Sequence, residues 1–280
     1  MSDVRFRQPG FEDSLEQARR VAEHLWRKGW GERNAGNLSI DVTGLVESGP
    51  PEFEAARVDW CERGRPLSVP AEALAGVCLL IGARGSRARE IARDPASRCG
   101  VIRFTADGRG YQVLWPGTGP APFVPTSELT THAAIHASLR ARRAPERAVL
   151  HTHPDELIAM SHEPAQLDES ALNRRLRQMH PETIVTLPDG VGLVRYLLPG
   201  SLEQGLASAA ALERHQVALW EKHGAVAAGA DLDEAFDRID TLNKSAKLYL
   251  ACRSAGFEPE GLTATQLDDL LRHFLGRSLR

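Results

Sequence analysis

The chain has 280 residues, 42% hydrophobic and 25% charged, enough to bury a sizeable core in one large α/β domain or two small ones. A formal net charge of −3 and a pI near 6.4 give no electrostatic ground to expect nucleic acid or a membrane surface as partner. Cys61, Cys78, Cys99 and Cys252 form no Cys-x-x-Cys pair, the opening is too charged for a signal peptide, and no apolar run reaches the roughly 18 residues of a membrane span. The expectation is a cytoplasmic protein with reduced thiols.

The first element is an amphipathic helix, "DSLEQARRVAEHLWRKGW", with apolar Leu15, Ala18, Val21, Ala22, Leu25 and Trp26 and a capping box from Asp13 and Glu16. "NLSIDV" alternates and reads as a strand. Residues 44–75 are Pro-rich, charged and poorly periodic, a variable excursion and not a domain boundary. "GVCLLIG" is a buried strand, and "GVIRFTADGRGYQVLW" a hairpin around its Asp-Gly turn. A helix, "TSELTTHAAIHASLRAR", precedes the strand "RAVLHTH" and two short helical stretches. "ETIVTL" reads as another strand, stopped by "PDGVG". A helix around 202–214 leads to the strand "QVALWEKHG" and its continuation "AVAAG". The long helix "DLDEAFDRIDTLNKSAKLYLACRSAG" carries a capping box (Asp231, Glu234) and a Gly256 stop, and "TATQLDDLLRHFL" closes the chain. No repeat or linker interrupts this order. The expected architecture is a single α/β domain over 1–280, with helices around a mixed central sheet.

His151 and His153 are two apart on a predicted strand, so they point to one face and can share a metal ion. A catalytic zinc site usually has three protein ligands and an open position. His223, where "WEKHG" ends in a tight turn, is a candidate third ligand. His132 and His136 are a rival pair, four apart on a helix. They lack the Glu of the His-Glu-x-x-His zinc signature and read as packing residues or as supports for the true ligands.

Glu128 stands in the first turn of its helix, either a capping residue beside Thr126 or Ser127 or an acid/base group. Glu182 opens the predicted strand "ETIVTL", where strand propensity does not favour Glu. The turn "RNAGNLSI" offers Asn34, Gly36 and Asn37 as donors for an anion. The Gly-rich turn "IGARGSRARE" adds Arg84, Ser86 and Arg87, and Ser127 is a further donor. Neither turn is a P-loop or a dinucleotide fingerprint.

Taken in order, "LWRKGWGERNAGNLSI", "VPTSELTTHAAIH", "VLHTHPDELIAMSH", "LPDGVG" and "LWEKHGAVAAGADLDEAFDRIDTLNKSAKLYL" resemble the class II aldolase/adducin family over about residues 15–255. The resemblance implies a three-layer α/β fold assembled as a homotetramer, with each active site near a subunit interface. It implies one Zn2+ per subunit on His151, His153 and His223, Glu128 as catalytic acid/base and Glu182 as a second active-site carboxylate. It implies that Asn34, Asn37 and Ser127 hold the phosphate of a sugar-phosphate substrate, with the Gly82–Gly85 loop close by. The family's second phosphate loop reads Gly-Ser/Thr-Gly, whereas this chain has Gly82-Ala83-Arg84-Gly85-Ser86, so either Ser86 or Arg84 takes over the missing hydroxyl. The implied reaction is reversible cleavage of a ketose 1-phosphate to dihydroxyacetone phosphate and a short hydroxyaldehyde. The alternatives are a zinc-dependent sugar-phosphate epimerase or dehydratase on the same fold, and a non-enzymatic adducin-like module.

Overall fold

The computed structural model describes residues 5–7, 9–48, 56–57, 61–62, 65–66, 71–119 and 122–278. Its centre is a nine-stranded sheet. In chain order the strands are β1 (Asn37–Asp41), β2 (Ala56–Arg57), β3 (Cys78–Gly82), β4 (Cys99–Phe104), β5 (Gly110–Trp115), β6 (Ala148–Thr152), β7 (Val191–Val194), β8 (Val217–Trp220) and β9 (Gly224–Gly229). They lie in the spatial order β7-β8-β9-β6-β1-β3-β4-β5-β2. Only the β7–β8 pair is parallel, so the sheet is mixed, as expected.

Alternation along the strands sorts the core into two faces. Leu38, Ile40, Leu80, Val101, Leu150, Leu219 and Ala227 share a core with α1 (Gly10–Lys28), α2 (Ala88–Arg93), α4 (Asp155–Met160), α5 (Glu169–Met179) and α8 (Leu232–Ser254). Leu79, Ile81, Ile102, Val149, Ala218 and Val226 pack beneath α3 (Leu129–Ala141) and α7 (Leu202–Leu212). Helices on both faces make three layers. No helix of the described residues is long and apolar enough to cross a membrane.

Several sequence expectations need correction. Helix α1 begins at Gly10 after Pro9 and not at a capping box; Glu16 instead pairs with Arg19 at 2.7 Å, and Trp26, assigned to the apolar face, is exposed. "ETIVTL" is not a strand. It lies in helix α6 (Pro181–Thr186), where Pro181 at the first helical position presets φ and has no N–H to leave unpaired. Packing overrides the β-branched run: Ile184 is buried against Leu267 and Leu271 of α9 (Ala264–Leu275), and the Thr183 and Ser245 hydroxyls bond at 2.6 Å. The strand of this region is β7, beyond the "PDG" turn. At α8, Asp231 accepts from the Glu234 N–H, but Glu234 reaches back to the Ala230 N–H and not to the cap itself.

Much of 44–75 lies outside the described residues. Its C-terminal end is no excursion, since Ala71 and Leu74 are buried in the core under α3. The Asp107–Gly108 turn explains part of that contact. Gly108 has φ +65°, and a Cβ there would stand 1.8 Å from the Ala71 carbonyl oxygen, so only glycine fits.

Candidate active site

The histidine pair sits where the sheet's central strands end. His151 follows Val149 on the face beneath α3 and α7, and the chain leaves the sheet at Pro154, the cap of α4. The β8–β9 turn brings the third imidazole. Lys222 takes a left-handed φ of +59° and donates its N–H to Ser161 Oγ at 2.8 Å, and His223 follows. The preceding Glu221 is fixed by Arg195 Nε at 2.8 Å and the Tyr196 N–H at 3.1 Å. The turn also needs Gly224, because a Cβ there would lie 2.5 Å from the Thr152 carbonyl oxygen and 3.0 Å from both His151 and His153.

The three rings converge, with centroids 4.9–5.1 Å apart. One ligand atom from each lies within 4.8 Å of the others. Ligand nitrogens on one tetrahedral zinc stand roughly 3.4 Å apart, so small ring rotations would close the set around an ion. The donor chemistry fits. His151 Nδ1 donates to the Ala225 carbonyl at 3.0 Å and His153 Nδ1 to Glu32 Oε1 at 2.8 Å, which leaves Nε2 of each ring as the lone pair. His223 differs: its Nδ1 accepts from Gln204 Nε2 at 3.3 Å, because Gln204 Oε1 takes the Gly200 N–H, so its Nε2 gains a free lone pair only when this long contact gives way. Burial holds His151 well below its ordinary pKa and His223 down to about 4, and the neighbouring imidazoles act in the same direction. Both rings are neutral at pH 7, the form that binds a metal.

Glu128 caps no backbone with its side chain, which rules out the capping alternative. The Thr126 hydroxyl accepts the Glu128 N–H at 3.3 Å instead. The Glu128 carboxylate turns into the cavity, where Oε2 lies 3.7 Å from His151 Nε2 and accepts from Asn37 Nδ2 at 2.9 Å. Burial raises its pKa, and the Asn37 hydrogen bond limits the rise.

These groups line one cavity of 160 Å3. Its wall includes Asn34, Gly36, Asn37, Gly82, Ala83, Gly85, Ser86, Thr126, Ser127, Glu128 and the three histidines. The wall's two loops are tied together, as the Thr126 N–H donates to the Gly82 carbonyl at 2.9 Å and the Arg84 N–H to Val124 at 2.8 Å. The N–H groups of Gly85 and Ser127 make no backbone hydrogen bond among the described residues, so both are free for an anion. Cavities of 530 and 440 Å3 elsewhere are larger, but neither holds the three-histidine cluster.

Three expected residues, Arg84, Arg87 and Glu182, are not in this cavity, and Arg87 stands 4.0 Å from Glu90. Arg84 is exposed and absent from its wall, and its charge acts on Tyr111 of β5. Between the two loop alternatives it is Ser86 that lines the cavity, although its hydroxyl donates to the Arg98 carbonyl at 3.2 Å. Glu182 is a solvent-facing residue of α6, with its side chain 66% exposed and 3.1 Å from His180, and it does not line the cavity that His151, His153 and His223 share. Asn37 is shared: it lines the cavity, but its amide is engaged with Glu128 and His132. Sequence reasoning missed Glu32 and Gln204, which touch the histidines from distant segments with no spacing signal.

The wider likeness agrees with this geometry. The family model described as "Class II Aldolase and Adducin N-terminal domain" matches residues 16–250. A rhamnulose-1-phosphate aldolase from Bacteroides thetaiotaomicron is 34% identical over 270 residues, 96% of this chain and 97% of that protein. The enzyme of the same name from an Enterobacter species is 35% identical over 252 residues, 89% of this chain and 88% of its own. Among solved structures, a sugar-phosphate aldolase from Thermotoga maritima superposes with a TM-score of 0.72 at 33% identity, covering 90% of this chain and 100% of that one. The chain therefore belongs to the class II aldolase and adducin N-terminal domain family.

Proposed function

We propose that this class II aldolase, a lyase, reversibly cleaves L-rhamnulose 1-phosphate to dihydroxyacetone phosphate and L-lactaldehyde, with one zinc ion on His151, His153 and His223. The observation that carries this reading is the meeting of three imidazoles, a buried carboxylate and an N–H-lined wall in one 160 Å3 cavity. The likeness to two rhamnulose-1-phosphate aldolases over nearly the whole chain supports the choice of sugar.

When bound, the metal supplies a Lewis acid for the ketone and adjacent hydroxyl oxygens of the substrate, undimmed because all three ligands are neutral. The chain's own residues do the rest. Asn34, Ser127 and the free N–H groups of Gly85 and Ser127 bind the phosphate and fix its distance from the reacting carbon, while Ser86, whose hydroxyl and N–H donate to the Arg98 and Ala83 carbonyls, lines the wall beside them. Glu128 holds and returns the proton exchanged at that carbon, a role suited to a carboxyl whose pKa burial has raised. Asn37 holds Glu128 in place. Glu182 takes part only if a neighbouring copy presents it to this cavity, in keeping with a homotetramer whose sites lie near interfaces. Tyr196 and Leu198, 63% and 66% exposed, offer apolar surface for such a contact. They lie just before Gly200, where a Cβ would stand 3.2 Å from the Ser127 carbonyl oxygen of the cavity wall. Unpaired Cys78, Cys99 and Cys252 support a cytoplasmic location.

Assay of the purified protein with a panel of ketose 1-phosphates, scored for dihydroxyacetone phosphate, tests the reading. Release of that product from L-rhamnulose 1-phosphate is expected. An isomeric or dehydrated product would favour the epimerase or dehydratase, and no turnover together with no bound metal would favour an adducin-like module.

A further inference from the structure

Helix α3 and strand β1 face each other along a polar seam. Every fourth residue of the helix side is polar (Glu128, His132, His136, Arg140), as is every second residue of the strand (Asn37, Ser39, Asp41). Four helical residues rise roughly 6 Å and two strand residues roughly 6.7 Å, so the two rows stay in step. The seam is bonded throughout. Asn37 Nδ2 meets Glu128 at 2.9 Å, Asn37 Oδ1 meets His132 Nε2 at 2.5 Å, and Ser39 Oγ meets His132 Nδ1 at 2.7 Å and His136 Nε2 at 2.8 Å. Arg140 meets Asp41 at 3.0 Å. His132, His136 and Ser39 are almost wholly buried, at 1%, 1% and 0% exposure. An apolar seam would pack as well, so burying this polar run without losing bonds calls for a reason beyond stability.

Chemistry fixes the direction of each bond. A carboxylate only accepts, so Asn37 donates with Nδ2 and must accept with Oδ1. His132 therefore carries its proton on Nε2, and its Nδ1 accepts from the Ser39 hydroxyl. Ser39 in turn accepts from His136 Nε2–H. Both rings are neutral, since burial holds His132 down to about 3 and His136 to about 4. An amide in the middle does not pass protons on, so the array orients and does not conduct.

We propose that His132, Ser39 and His136 are positioning residues for the aldol reaction, which lock the Asn37 amide in the one orientation that donates to Glu128 Oε2 and leave Oε1 to take the substrate proton. The role rests on the aldolase reading above. It also explains why Asn37, expected at the phosphate, is turned to the carboxylate.

The test compares His132→Leu, which removes the donor to Asn37, with His132→Gln, which keeps an N–H near the Nε2 position. Metal content, KM for the ketose 1-phosphate, kcat and solvent-deuterium exchange into dihydroxyacetone phosphate are measured for each. In the leucine variant, metal stays at one per chain and KM within about twofold, while kcat and exchange fall together tenfold or more; the glutamine variant recovers most of the loss. If the wild-type protein is active and His132→Leu exchanges at its rate, or loses metal and KM in proportion to kcat, the positioning role fails alone. A wild-type protein that neither cleaves nor exchanges overturns the aldolase reading and the role with it. Should the leucine variant not fold, neutron diffraction of the wild-type protein decides: hydrogen on His132 Nε2 and on Ser39 Oγ toward His132 supports the array, and hydrogen on His132 Nδ1 overturns it.

Discussion

Gly224 and Thr152 touch so closely that no side chain fits between them: a Cβ on Gly224 would lie 2.5 Å from the Thr152 carbonyl oxygen. The contact draws the turn carrying His223 onto the strand carrying His151. Gly224→Ala should push the two apart, at a cost of about 1–3 kcal/mol for overpacking. We expect a lowered melting temperature and metal content well under one per chain. A variant with full metal content and unchanged melting would show that the turn is not held by this contact.

Replacing Glu128 with Gln keeps its shape and an oxygen for Asn37 to donate to, but removes the base. Metal should remain bound while kcat falls by about 10²-fold or more. Near-normal turnover in Glu128→Gln would leave the carboxylate a bystander of the histidine cluster.

At the phosphate end the prediction turns on which side chains line the cavity. Asn34→Ala and Ser127→Ala should raise KM for a ketose 1-phosphate several-fold and affect the unphosphorylated ketose little. Arg84→Ala should leave both within about twofold, because its side chain points away from the wall. A large, phosphate-specific rise in KM on losing Arg84 would mean that the 82–86 loop rearranges around substrate.

The buried imidazoles of His132 and His136 make the fold acid-sensitive. Below pH 6.5 the unfolded chain binds protons at both positions, whereas the folded chain, with these groups held down to about 3 and about 4, stays neutral there. Stability is complete above pH 6.5 and drains away as pH falls toward 4. At pH 5.5 the loss is about 1.4 kcal/mol per histidine. Asp41 opposes the shift at His136, and Arg140 adds to it. Melting curves at pH 7.5 and 5.5 check this, with a smaller drop expected for a double His132→Gln, His136→Gln variant. Equal drops in both proteins would contradict the assignment.

The sequence disclosed what depends on short-range periodicity. A spacing of two at the end of a strand brings His151 and His153 together, although β6 itself stops at Thr152. Resemblance added the long-range partner His223 and the role of Glu128. Elsewhere, tertiary contacts overrode local propensity. Thr183 and Ile184 look like strand residues but are held in a helix by Pro181, Ser245 and Leu267. Arg84 is oriented by a loop pinned to Val124, which no residue count reveals. Glu32 and Gln204 meet the histidines from segments 121 and 19 residues away. The α3–β1 seam was half visible: His132 and His136 share a helix face, but only the fold sets Ser39 between them.

The most direct test of the account is a zinc titration of chelator-treated protein, with cleavage of L-rhamnulose 1-phosphate read against metal bound per chain. We expect activity to vanish on chelation, to return in proportion to zinc up to one ion per chain, and not to return in a His151→Ala or His223→Ala variant. Full activity in the metal-free protein, or one zinc per chain still bound tightly when all three histidines are replaced, would contradict it.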